Sequence, residues 1–208
     1  MAQRNELLAL LILVGAVLVW SGIAPADRLT WLLEVIWVLL GVPILLLSRR
    51  RAPLTRLLYW LIAAHCLILI VGGRYTYAQV PLGFWLQDWF DLARNHYDRI
   101  GHLAQGFVPA MLAREVLLRN TALQPGGWLF YLVTCSALAF SALFEMIEWW
   151  AALIWGGAAD AFLATQGDVW DTQWDMFCAL IGAIAAQLLL ARLHDRQLAM
   201  LGRRAAQA

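Results

Sequence analysis

Asp168, Asp171 and Asp175 stand at i, i+3 and i+7 in the run Gly167-Asp168-Val169-Trp170-Asp171-Thr172-Gln173-Trp174-Asp175. On a helix that spacing stacks three carboxylates on one face. The run leads straight into the apolar segment Met176–Leu190. Acids at the entrance of a membrane-length segment repel one another and resist desolvation, so basic partners, shared protons or a bound cation must compensate them. Other residues of the same kind punctuate the apolar sequence. Asp98 and His102 are i, i+4 neighbours, with Gln105 beyond them; Glu145 and Glu148 are i, i+3 neighbours; His65 stands alone. Arg74, Arg94 and Arg99 are the nearby permanent cations, too few for six carboxylates. Protons or a metal would have to absorb the remainder. Two histidines with several carboxylates suit Zn, Mn or Fe, whereas carboxylates alone favour Mg or Ca.

A metal-dependent hydrolase needs a metal-activated water, an acid/base group and a cation for an anionic substrate. In that reading His102, Glu145, Asp168, Asp171 and Asp175 hold a divalent ion (Zn, Mn, Fe or Mg). Glu148 and Asp98 move protons, and Arg74, Arg94, Arg99, Gln105 and Gln166 bind the substrate. Blander roles are open to each. His65 fits a hydrogen-bonded core histidine, Asp98 with Arg99 a charged helix start, and Trp149-Trp150 interface anchors. Tyr75 and Tyr77 fit an aromatic belt, Arg114 and Glu115 a solvated inner helix end. The acids with His102 fit a purely structural ion network.

The elements that must position these residues are membrane helices. Of 208 residues 62% are hydrophobic and 14% charged, and the mean hydropathy is +0.68. A soluble domain of this length could not cover so much apolar surface. The fold class is all-α, a polytopic transmembrane bundle in a single domain, 1–208, with its functional core at about 70–190. Six spans are predicted: Leu7–Ala24, Trp31–Leu47, Leu57–Gly72, Tyr97–Leu117, Trp128–Trp155 and Trp170–Leu193. The fourth is the most polar; with five spans it would be an interfacial or re-entrant helix. In the six-span reading Arg4, Arg49, Arg50, Arg51, Arg56, Arg114, Arg119, Arg192, Arg196, Arg203 and Arg204 all fall on one side. By the positive-inside rule that side is cytoplasmic, and so are both termini. The helix directions then bring the polar residues of spans three to six to one level near the outer surface, and leave the inner halves almost wholly apolar. Most tryptophans gather at the outer interface, and Trp85–Leu92 reads as a short amphipathic helix lying there. Cys66, Cys135 and Cys178 lack metal-ligand spacing and fit as small hydrophobes. The first apolar run has no A-x-A cleavage site and reads as a retained helix.

Several stretches together resemble the YjdF-like family of bacterial inner-membrane proteins. They are Arg74–Pro81, Asn95–His102, Gln105-Gly106-Phe107, Glu145-x-x-Glu148-Trp149-Trp150 and Gln166–Asp175, covering about residues 70–190. The resemblance implies a multi-pass inner-membrane location and no established activity. A weaker similarity is to VanZ-like membrane proteins, which pair an Asp and a His at the start of one helix. Glu148 and Asp175 depart from that pattern, where amides are usual.

Three functions follow as expectations. One is a metal-dependent enzyme acting on a lipid or lipid-linked substrate at the outer face. The second is a cation- or proton-coupled transporter, which would need a homodimer to complete a polar path. The third is a non-catalytic scaffold. Membrane lipids are the expected partners, and no nucleic-acid partner is expected.

Overall fold

The computed structural model describes residues 2–205 and the side chains of residues 4–202. Met1 and residues 206–208 of the expected single domain lie outside it, as do the side chains of Arg203 and Arg204. The helices in order are α1 (Ala2–Ile23), α2 (Arg28–Ser48), α3 (Arg56–Tyr75), α4 (Pro81–Phe90), α5 (Tyr97–Asn120), α6 (Gly127–Trp155), α7 (Asp160–Leu163) and α8 (Asp171–Ala205). Short 3₁₀ turns at Tyr77–Gln79 and Gly156–Ala159 join α3 to α4 and α6 to α7, and the described residues contain no strand.

Local chemistry sets the boundaries. Asp27 accepts from the Thr30 N–H at 2.7 Å and starts α2; Thr55 accepts from Leu58 N–H at 3.4 Å and starts α3. Pro81 opens α4, where its missing donor costs nothing, and Asp91 closes it with a left-handed backbone (φ 51°). α4 turns Phe84, Trp85, Trp89 and Phe90 outward, as an interfacial helix should.

Five helices, α1, α2, α3, α6 and α8, are long and apolar enough to cross a membrane. α5 has the length, 24 residues or about 36 Å. It lacks their apolarity because it carries Asp98, Arg99, His102, Arg114, Glu115 and Arg119. These polar groups are accommodated by enclosure: α5 packs between α3, α6 and α8, most extensively on α8. In lipid, helices gain little from the hydrophobic effect and associate through close backbone approach and polar contacts. Gly106 of α5 and Gly182 of α8 supply the approach. A Cβ on Gly106 would overlap the Ala179 carbonyl, and one on Gly182 the Leu103 carbonyl.

Glu6 of α1 meets Arg56 of α3 at 2.8 Å, and Gln197 of α8 accepts from the Leu57 N–H at 2.8 Å. The chain therefore enters and leaves at one end of the bundle. That end is not apolar, which corrects the reading of Arg114 and Glu115 as a solvated helix end. Both are buried, with His194 of α8. Glu115 accepts from Thr55 N–H (3.2 Å), Thr55 Oγ1 (2.8 Å), Arg119 (3.0 Å) and His194 Nε2 (3.0 Å). Arg114 can only donate, so His194 Nδ1, 2.8 Å away, accepts and Nε2 holds the proton given to Glu115. Arg114 also pairs with Asp195 at 2.7 Å. These contacts tie the start of α3 and the end of α5 to α8.

Candidate functional site

The second polar cluster lies at the opposite end, where α5 and α8 begin. Asp98 and His102 project from the first turns of α5, one turn apart as their spacing requires. Asp175 projects from the second turn of α8, and Glu145 from the last third of α6. All four are at most 7% exposed. One ligand atom each from Asp98, His102 and Asp175 lies within 4.8 Å of the others. Glu145 Oε1 is 3.7 Å from His102 Nδ1.

The histidine's two nitrogens face different partners. Nδ1 is 2.9 Å from the Gln105 side-chain oxygen, an acceptor, so Nδ1 donates there. In the neutral ring Nε2 then carries the lone pair, and it stands 3.5 Å from Asp98 Oδ1. That separation is long for a direct hydrogen bond, which falls at about 2.7–3.2 Å. It suits two ligands of one cation, each roughly 2.0–2.2 Å from it. A metal-binding histidine typically donates its other N–H to such an outer partner, which fixes its orientation. Two buried carboxylate oxygens beside it, Glu145 Oε1 and Asp175 Oδ1, have no hydrogen-bond partner among the described residues.

A small cavity of about 20 Å³ adjoins the cluster, lined by Glu34, Tyr77, Asp98, His102, Gln105 and Phe144 among others. It has room for about one water-sized body. Glu34 is a site residue that sequence reasoning missed. It is 2% exposed, and its Oε2 has no partner among the described residues. It stands alone in α2, with no charged residue or histidine at i±3 or i±4 to mark it. Tyr77 was expected in an aromatic belt but is buried, which corrects that reading. Thr76 adopts φ 55°, ψ 128°, turning the chain so that the Tyr77 ring enters a slot between Gly72 and Gly101, where any Cβ would overlap it. Burial, and next Glu34, pushes the Tyr77 phenol well above its ordinary value.

Asp168 does not share the face of Asp171 and Asp175, because α8 begins at Asp171. Asp168 sits in the preceding turn and accepts from the Trp170 N–H at 3.0 Å, the local bond that Asp makes more readily than it continues a helix. This backbone bond first, and then the Arg99 guanidinium at 2.6 Å, holds its carboxyl below the usual range. Arg94 pairs with Asp171 at 2.8 Å and reaches Asp168 at 3.4 Å, besides donating to the Thr165 carbonyl at 2.9 Å. Arg99 also lies 5.1 Å from the Trp174 ring centroid. Burial and the two arginines push the His96 imidazole down.

The structure thus divides the acids into two sets. Asp168 and Asp171 are matched by Arg94 and Arg99, while Asp98, Glu145, Asp175 and Glu34 have only His102. Of the remaining expected site residues, Gln105 orients His102, and Glu148 is half-buried one turn beyond Glu145. Gln166 is engaged with the backbone of Asn95, accepting at 3.2 Å and donating at 2.8 Å. Arg74 turns away, onto the rings of Trp20 and Tyr75 at 5.3 and 5.9 Å. The Nε2 of His65 is buried without a partner among the described residues.

Comparison with known proteins gives two matches. Residues 6–196 match the family described as "Predicted membrane protein (DUF2238)". The chain is also 55% identical over 186 residues to the "Inner membrane protein YjdF" of Escherichia coli (strain K12), 89% of each chain being covered. No solved structure matches. The weaker similarity to VanZ-like proteins gains no support from either match.

Proposed function

This chain belongs to the DUF2238 family of membrane proteins, and for it we propose a buried divalent-cation site, formed by Asp98, His102 and Asp175 with Glu145 beside them. The chain is a multi-pass inner-membrane protein, as its apolar helices and the name of its relative support. The sidedness we propose is the one that the arginines favour: six spans, both termini cytoplasmic and the cation site near the outer surface.

One observation carries the proposal. His102 Nε2 and Asp98 Oδ1 face each other at 3.5 Å in a buried cluster whose neighbouring carboxylate oxygens are unpartnered. An uncompensated buried carboxylate is costly, and a cation would satisfy several at once. One nitrogen with two or three carboxylates favours Zn, Mn or Fe over Ca.

Binding is better supported than either action expected from the sequence. A lipid-linked substrate needs more room than about 20 Å³, and the arginines assigned to its head group already serve Asp168 and Asp171. A carrier needs a polar path along α5 and α8. Between their polar ends the two helices meet at Gly106 and Gly182 with no space for a methyl group. The reading is therefore a cation-holding membrane protein whose ion fixes α5, α6 and α8 at the outer end. Elemental analysis of detergent-purified protein tests it. About one equivalent of a transition metal in the wild type and little in Asp175→Asn is expected; equal, substoichiometric metal in both would overturn it.

A further inference from the structure

α1 and α2 are joined by a short loop and touch beside it. Trp31 Nε1 donates to Ser21 Oγ at 2.9 Å, and the Trp31 ring lies against Gly22, where an added Cβ would come within 3.0 Å of it. Away from the loop both helices lean on α3, and a groove of about 410 Å³ lies between them. That volume falls within the roughly 300–1,000 Å³ of small-molecule sites. Its walls are apolar: Leu10 and Val14 of α1, Val42 and Leu45 of α2, with Ala63 and Cys66 of α3 as a floor. Its lining also includes two guanidiniums from the end of the bundle where the chain begins, Arg4 near the start of α1 and Arg49 at the end of α2. Among the described residues neither has an acidic partner, since the acid of α1, Glu6, pairs with Arg56 at 2.8 Å. Tyr59 adds a hydroxyl that accepts from the Leu54 N–H at 3.2 Å and keeps its own proton to donate.

We propose that this groove holds one anionic phospholipid, its acyl chain on the floor of α3 and its phosphate between Arg4 and Arg49. The argument is charge complementarity joined to shape. A long apolar channel accepts an alkyl chain, and two unpaired guanidiniums with a phenolic donor match the oxygens of a phosphodiester. A zwitterionic head group would bring its own cation against the two arginines. Basic pockets between membrane helices are where anionic head groups lodge. The site is independent of the cation cluster, which lies at the other end of the bundle.

The test is native mass spectrometry of full-length, delipidated protein titrated with phosphatidylglycerol or with phosphatidylcholine of the same acyl chains. Each arginine near an anionic head group adds about fivefold in affinity, so phosphatidylglycerol should be preferred by about 25-fold. Arg4→Gln/Arg49→Gln should abolish the preference, and Arg49→Gln alone should reduce it by about fivefold. Arg50→Gln/Arg51→Gln, an equal loss of charge at the same end but outside the groove, should leave it intact. Ala63→Leu, which fills the floor, should remove the bound lipid while the arginines remain. Equal retention of the two lipids would overturn the proposal, as would equal loss in the Arg50 and Arg51 pair. So would displacement of phosphatidylglycerol by inorganic phosphate or by a second copy of the chain.

Discussion

In its neutral form His102 leaves the Nε2 lone pair free on the side of Asp98, because Nδ1 is engaged by Gln105. That arrangement was half legible in the sequence. The i, i+4 spacing of Asp98 and His102 is a property of one helix, whereas Gln105, expected to bind substrate, lies against His102 Nδ1 instead. What the spacing could not give was the split among the acids. Asp168, Asp171 and Asp175 look equivalent on a helical wheel, yet α8 starts too late to include the first. Asp168 instead forms a charged latch with Arg94 and Arg99 across about 70 residues of sequence. Its carboxyl titrates below the ordinary value, so its stabilisation is complete above about pH 4 and is lost as pH falls through the lowered value. Wild-type protein should therefore lose melting temperature between pH 6 and pH 3 more steeply than Asp168→Asn. Parallel acid profiles would show that the latch contributes nothing.

The seam between α5 and α8 sets where both polar clusters lie. Gly106 and Gly182 let the backbones approach so closely that polar groups at both ends become enclosed. Gly106→Leu should force the helices apart and cost about 1–3 kcal/mol by overpacking. Gly41→Leu, at a position with open space around it, should cost far less in the same thermal melts. Similar losses at the two positions would refute the close-approach account. At the far end, Glu115→Ala should cost about 3–5 kcal/mol, because it strands buried donors from Thr55, Arg119 and His194. A loss below about 1 kcal/mol would mean that the network is solvated after all. The sequence hid this network for a physical reason. Thr55, Glu115 and His194 come from three helices, separated by 60 and 79 residues, and singly each reads as a helix cap or a solvated end. Glu34 was hidden likewise, as a lone acid in an apolar helix. The helices themselves were easy to read, because apolar runs of about 20 residues have no other stable fate.

The bundle as a whole gathers the acids of the candidate site where α3 and α6 end and α5 and α8 start, with the start of α1 and the end of α8 at the opposite end beside Glu6, Glu115 and Asp195. That polarity follows from alternating helix directions, so it was readable once α5 was counted as crossing. Reporter fusions after Ala208 and at Gly157 should lie on opposite sides of the membrane, the former cytoplasmic. Both on one side would undo the six-span arrangement. The proposed cation would make the charge arithmetic of this architecture close, since Asp98, Glu145, Asp175 and Glu34 otherwise face only one histidine. Removing it should loosen α5, α6 and α8 together. The most direct test is thermal unfolding of the purified protein in detergent, before and after chelation and again with divalent metal restored. The expected result is a fall in stability on chelation, reversed by metal through binding linkage of about 2.7 kcal/mol at a hundredfold excess over Kd, with no such response in Asp175→Asn. Superimposable melting curves for metal-loaded and chelated wild-type protein would contradict the cation site and leave the acids to protons.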